Sequence, residues 1–252
     1  MKTGISSACL YPMLLEDAIE NLLGIPYIEI FINTHSELKE NYLKNLRKRL
    51  DEYGTECVSL HPFTCVIEPL MLFSKYERRI SDFLEYHKLY FNAMNIIGAK
   101  IFILHGNKSI IPVANELYFE RFLKLYELGK EFGITVAQEN IVRCQSSSLQ
   151  FLVDMQTALK DKANFVFDIK QCVRSGENVL EMAETLKDNI VHVHISDHGE
   201  KGDCLLIGQG NLDCKKLFSI LNNNVIYMLE LYRSNFNTVE DLLDNVKLIN
   251  NM

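Results

Sequence analysis

Three carboxylates and one imidazole stand at the ends of four apolar runs in the second half of the chain. Glu139 closes Ile134-Thr-Val-Ala-Gln, Asp168 closes Phe165-Val-Phe, His194 closes Ile190-Val-His-Val, and Glu230 closes Val225-Ile-Tyr-Met-Leu. Oxygen donors with one imidazole suit a single divalent cation, Mn2+, Mg2+, Co2+ or Zn2+, and ligand identity alone does not choose among these. A cation would also answer an electrostatic difficulty, since carboxylates gathered in one place repel each other and lose hydration. Two more histidines, His61 and His105, close apolar runs earlier in the chain.

Residues so far apart in sequence meet only if the elements carrying them deliver every strand end to one place. Apolar runs predict strands at Gly4–Leu10, Tyr27–Ile32, Glu56–His61, Lys100–His105, Ile134–Asn140, Phe165–Asp168, Ile190–His194 and Val225–Glu230. Helical spacing of apolar residues predicts helices at about 16–23, 36–53, 76–97, 113–132, 149–159, 178–186, 213–221 and 239–249, one after each strand. Gly54, Gly98 and Gly133 stand where helices must stop, and the serines 146–148 and Thr238 stand where helices can be capped at their start. A helix between successive strands forces them parallel, and eight such units make a (β/α)8 TIM barrel. No Gly-x-Gly-x-x-Gly turn supports the open doubly wound alternative. In a closed barrel all strand C-termini share one mouth, so His61, His105, Glu139, Asp168, His194 and Glu230 converge there.

Composition bounds the function classes. The 252 residues, 48% of them hydrophobic, suit one domain over residues 1–252. A net charge of -7 argues against nucleic-acid binding, which rests on clustered Lys and Arg. The one basic cluster, Lys44, Arg47, Lys48 and Arg49, is surrounded by acidic residues and reads as a solvated helix face. Seven scattered cysteines without a Cys-x-x-Cys pair suit reduced thiols in a cytoplasm. No run has the length of a membrane span and the first residues lack a signal-peptide stretch, so a soluble cytoplasmic protein is expected.

Five short motifs, Gln138-Glu139-Asn140, Phe167-Asp168, His192 to Asp197, Gly208-Gln-Gly210 and Leu229-Glu230-Leu231, in this order at strands five to eight, resemble the xylose isomerase-like TIM barrels. That family includes ketose 3-epimerases, hydroxypyruvate isomerase, inosose dehydratase and endonuclease IV, and the resemblance covers essentially the whole chain. It implies one divalent metal ion held by Glu139, Asp168, His194 and Glu230. It implies further an isomerase or epimerase of a small sugar, keto sugar or polyol, with Glu139 and Glu230 flanking the reacting carbon. A cation that polarises a carbonyl and hydroxyl acidifies the neighbouring C–H and stabilises the enediolate, so the two glutamates could move protons on opposite faces. His61, His105, Asn140 and Gln171 are the expected substrate contacts, with a purely structural role as the alternative for the two histidines. The partner is then a small carbohydrate, and the resemblance leaves room for a homo-oligomer.

The chain also departs from its relatives. Epimerases often carry His three residues after the metal Asp, where this chain has Gln171, and an Arg in the loop after the metal His, where it has Glu200. Arg143, Lys170, Arg174 or Arg233 could take over that contact. Endonuclease IV has metal ligands at positions matching His61 and His105, which would allow a second cation sharing Glu139. Its third site needs a His at position 171 and an Asp-x-His, where this chain has Gly202-Asp203-Cys204-Leu205. Phosphodiester hydrolysis on abasic DNA and a non-catalytic sugar-binding barrel are therefore the alternatives. Glu29, before its strand end, reads as part of a buried ion pair or of a lower barrel layer, and His192 as a hydrogen-bonded residue one layer below His194, in the core or supporting the site. Met13, Phe63, Met71 and Phe73 could wall the site, and Gly208-Gln-Gly210 is too short for a phosphate loop.

Overall fold

The computed structural model describes residues 1–221 and 225–252. The first half of the chain runs β1 (Lys2–Ser6), α1 (Leu15–Leu22), β2 (Tyr27–Phe31), α2 (Glu40–Tyr53), β3 (Glu56–His61), the short α3 (Glu68–Met71), α4 (Glu77–Ile97) and β4 (Ile101–Leu104). It continues with α5 (Asn115–Glu131), β5 (Thr135–Glu139), α6 (Leu149–Leu159), β6 (Phe165–Asp168), α7 (Ile169–Arg174), α8 (Val179–Leu186) and β7 (Ile190–Ile195). A hairpin of β8 (Asp197–Gly199) and β9 (Gly202–Leu205) precedes α9 (Cys214–Leu221), β10 (Ile226–Leu229) and α10 (Val239–Asn250). Eight parallel strands close in the order β1, β10, β7, β6, β5, β4, β3, β2. This is the expected single-domain (β/α)8 barrel.

Strand alternation sorts the side chains into two layers. Phe102, Leu104, Val136, Phe165, Phe167, Val193 and Ile195 belong to the large core between strands and helices. Their neighbours Ile103, Ala137 and Val166 form a separate cluster that fills the barrel. Continuing that inner set by two residues along each strand reaches His105, Glu139 and Asp168. Asp168 and His194 are direct cross-strand partners, which puts their side chains on one face.

The helix signals sit where sequence placed them. Gly54, Gly98 and Gly133 have φ of 66°, 91° and 69°, the left-handed conformation that ends a helix and that only glycine adopts cheaply. The Ser148 hydroxyl accepts from Phe151 N, and Thr238 with Asp241 forms a capping box.

Three stretches differ from expectation. The first strand ends at Ser6, and residues 7–10 turn into a 3-10 helix, because Ser6 Oγ accepts from Ala8 N and Ser7 Oγ takes the Phe31 N–H. Residues 169–174, expected as loop, form α7, whose N-cap is Asp168 itself: Oδ1 accepts from Gln171 N at 2.8 Å. The loop after β7 contains a hairpin, and its glycines wrap a buried carboxylate. Asp197 accepts from the N–H groups of Gly208, Gly210 and Leu212, each at 2.9 Å, so this chain fills its own ring of donors.

Candidate metal centre at the barrel mouth

Glu139 ends β5, Asp168 ends β6, His194 lies near the end of β7, and Glu230 directly follows β10. Each offers a ligand atom, and these four atoms lie within 4.8 Å of one another. His194 Nδ1 is at the centre, 3.0 Å from Glu139 Oε1, 3.3 Å from Glu230 Oε2 and 3.7 Å from Asp168 Oδ2. All are buried except Glu230, whose side chain keeps 14% of its surface open to the mouth.

The imidazole is oriented from below. Glu29 on β2, fully buried, places Oε2 3.1 Å from His194 Nε2, and the same oxygen accepts from His192 Nε2 at 3.1 Å and from Ser59 Oγ at 2.7 Å. An Nε2–H committed to a carboxylate leaves Nδ1 as the nitrogen that can bind a cation. The buried-pair reading of Glu29 and His192 is thus what the geometry contains. Without a cation the His194 pKa stands well above the ordinary histidine value: burial pushes it down, but Glu230 and Glu29 outweigh burial. These carboxylates favour the protonated imidazole over the neutral one.

Two tests bear on whether a cation fits. Glu139 Oε2 and Asp168 Oδ2 are buried without a well-formed hydrogen bond, although such oxygens ordinarily have one; the nearest ion-pair neighbour of each lies at 3.1 Å, His105 Nε2 and Lys170 Nζ respectively. Two of the four candidate ligands, Glu139 and Glu230, are also held ionised. Burial raises the Glu139 carboxyl, but the neighbouring His105 and His194 imidazoles overcome it and hold it below the usual range. Burial is likewise overcome at Glu230, by Lys170 and His194, whereas at Asp168 burial wins over Lys170 and raises the pKa. Three carboxylates and one imidazole converging on one point fit a divalent cation and single out none.

A second cluster shares Glu139. His105 Nε2 lies 3.1 Å from Glu139 Oε2 and 2.8 Å from His61 Nε2. Burial and the neighbouring His105 push His61 down to about 4, so it is neutral and accepts the His105 proton. Above both clusters is a cavity of about 270 Å³, lined on its polar side by His61, His105, Glu139, Lys170, Gln171 and Glu230. Tyr11, Phe31, Ile141, Leu231 and Tyr232 line the rest. The volume falls just below the range of roughly 300–1,000 Å³ for drug-sized ligands, which suits a smaller molecule.

The expected substrate contacts separate here. His61, His105 and Gln171 face the cavity, although Gln171 Oε1 also accepts from Val142 N. Asn140 does not line it. Its amide donates to Asp168 O at 2.9 Å and accepts from Asp168 N at 2.7 Å, so it braces the strand end that carries Asp168. Of the four cationic residues that could replace the missing arginine, Lys170 alone lines the cavity. Arg174 pairs with Asp203 and Tyr232, Arg233 donates to the Phe236 and Asn237 carbonyls, and Glu200 is exposed in the hairpin turn. The proposed wall of Met13, Phe63, Met71 and Phe73 is absent from the lining: Met13 is 40% exposed, and the others pack with the core. The bridge from Lys170 to Asp168 and Glu230 is not foreseen from sequence, where its only signal is a lysine two residues after a candidate ligand.

A (β/α)8 barrel with an acidic and imidazole cluster at the C-terminal mouth is the class that fold and site define. The chain belongs to the xylose isomerase-like TIM barrel family, whose model matches residues 17–251. No protein of curated function matches it in sequence. Among solved structures it is similar to a D-tagatose 3-epimerase-like protein, with 21% identity, a TM-score of 0.76, and 100% and 99% of the two chains covered. It is also similar to the IolI protein with a binding zinc atom, at 18% identity and TM-score 0.78 over 99% and 96%. A third is 3-keto-D-glucoside 4-epimerase from E. coli, at 16% identity and TM-score 0.77 over the full length of both chains. No helix among the described residues is long and apolar enough to cross a membrane.

Proposed function

We propose that this protein is a divalent-cation-dependent isomerase or epimerase of a small sugar, keto sugar or polyol. The observation that carries the reading is that two glutamates held ionised, Glu139 and Glu230, approach the His194 imidazole from different strands at the floor of a small cavity. Glu139, Asp168, His194 and Glu230 would hold the cation. Bound there, it would polarise a carbonyl and adjacent hydroxyl and so acidify the C–H between the carboxylates. Glu139 and Glu230, both ionised, are placed to take a proton from that carbon on one face and return it on the other. His61 and His105 supply a donor and acceptor pair for sugar oxygens, and Gln171 a further polar contact. Lys170 beside Glu230 keeps that carboxylate charged. The epimerases among the structural neighbours support the class of reaction.

The test is exchange of substrate C–H for deuterium in heavy water across a panel of ketoses with added Mn2+, Mg2+, Co2+ or Zn2+. Exchange that is lost in Glu139→Gln and Glu230→Gln supports the reading, and absence of exchange from the whole panel counts against it. The cluster of His61, His105 and Glu139 favours a second reading, phosphodiester hydrolysis with two cations. Nicking of an abasic duplex would replace the sugar reading with that one.

A further inference from the structure

Lys170 belongs to α7, which starts on the Asp168 cap, so its first turn lies against the mouth. The side chain is 4% exposed. Its ammonium lies 2.8 Å from Glu230 Oε2 and 3.1 Å from Asp168 Oδ2, with the Tyr232 ring centroid 5.2 Å away. These two oxygens are also the ones that approach His194 Nδ1, at 3.3 and 3.7 Å. The atoms that would ligate a cation are therefore already engaged by a fixed positive charge.

We propose that Lys170 is a built-in competitor of the metal ion, a tethered ammonium that holds Asp168 and Glu230 together in the metal-free protein and weakens the hold of the site on a divalent cation. The inference rests on the cation site proposed above. Without metal, three ligand carboxylates and Glu29 lie within one buried region, and the ammonium offsets their repulsion. With metal, the same ammonium shares two ligand oxygens with a dication and repels it, because interactions over a few ångströms away from water are barely screened. Lys170 thus stabilises the empty site and penalises the filled one. A lysine serving only as a structural ion pair would stabilise both forms alike and leave metal affinity unchanged.

The test is calorimetric titration of the metal-stripped full chain with Mn2+ and with Zn2+ at one pH, beside melting curves in chelator and in excess Mn2+. Lys170→Met, which keeps the length of the chain and removes the charge, is expected to bind Mn2+ about tenfold tighter or more. Its metal-free melting temperature should fall, and the interval between metal-free and loaded melting should widen. Lys170→Arg keeps the charge in a bulkier group and is expected to bind Mn2+ more weakly than Lys170→Met does. If Lys170→Met does not fold, Lys170→Gln carries the same expectation. Unchanged or weaker binding in a folded charge-free variant, with the parent binding normally, would overturn the role of Lys170 and leave the cation site standing. Absence of binding by parent and variants alike would overturn the site itself.

Discussion

Glu29→Gln isolates the part of the site that aims the imidazole. The Glu29 carboxylate is fully buried, and Oε2 accepts from His194, His192 and Ser59 together. Glutamine keeps the shape and one acceptor oxygen but removes the charge. Its new N–H2 falls where Oε1 now has no partner, and a buried donor left unsatisfied costs about 1–3 kcal/mol. The larger effect concerns the metal. A cation and a proton compete for His194 Nδ1, and the Glu29 carboxylate favours both, but at equal distance its charge attracts a dication twice as strongly as a proton. Losing it should weaken metal binding by about 10–100-fold, the usual effect of removing the carboxylate behind a ligating histidine. That is about 1.4–2.8 kcal/mol. Metal titration of the stripped variant measures this directly, and denaturation in chelator measures the stability cost separately. An affinity within about twofold of the parent, in a variant that still unfolds cooperatively, would refute the view that Glu29 sets up His194.

Other expectations follow from single contacts. Glu139→Gln and Glu230→Gln should each lower deuterium exchange by about 100-fold or more while leaving the fold intact, checked by exchange rate and circular dichroism. Glu68 on α3 accepts from Gly106 N, and burial raises its carboxyl to about 8. A folded pKa above the unfolded value means that stability is fully present below about pH 4.5 and is lost as pH rises to about 8, at about 1.4 kcal/mol per unit. Glu68→Gln should flatten that decline, and urea midpoints at pH 5, 7 and 9 would show it; parallel curves for variant and parent would contradict it. Asn140→Ala leaves the Asp168 backbone N–H and C=O without their partner and should cost about 1–3 kcal/mol in denaturant unfolding. It should also weaken metal binding, because the strand end that presents Asp168 loses its brace.

The barrel and the convergence of the four candidate ligands were legible in sequence because each depends on a local pattern. Apolar runs with a polar residue at the end identify a strand and its C-terminus together, and closure of the barrel supplies the convergence of Glu139, Asp168, His194 and Glu230. What was not legible depends on register and on how a side chain is capped. Asn140 sits beside the candidate ligand Glu139 in a recognisable motif, yet the pairing of β5 with β6 turns its amide onto the Asp168 backbone. Lys170 looked like one of four candidate substrate contacts until the Asp168 cap began α7 early enough to direct it back onto Asp168 and Glu230. The end of β1 was set by Ser6 and Ser7, small polar residues that fit a strand as well as a turn until their partners Ala8 and Phe31 are known. Gly208-Gln-Gly210 has the composition of a ligand loop, and only the position of Asp197 shows what its N–H groups hold.

The cation site itself can be read most directly from anomalous scattering in crystals of the full chain soaked in Mn2+. A single strong peak within about 2.0–2.4 Å of Glu139, Asp168, Glu230 and His194 Nδ1 is expected. A map with no peak among these four, or with the metal held elsewhere on the barrel, would contradict it.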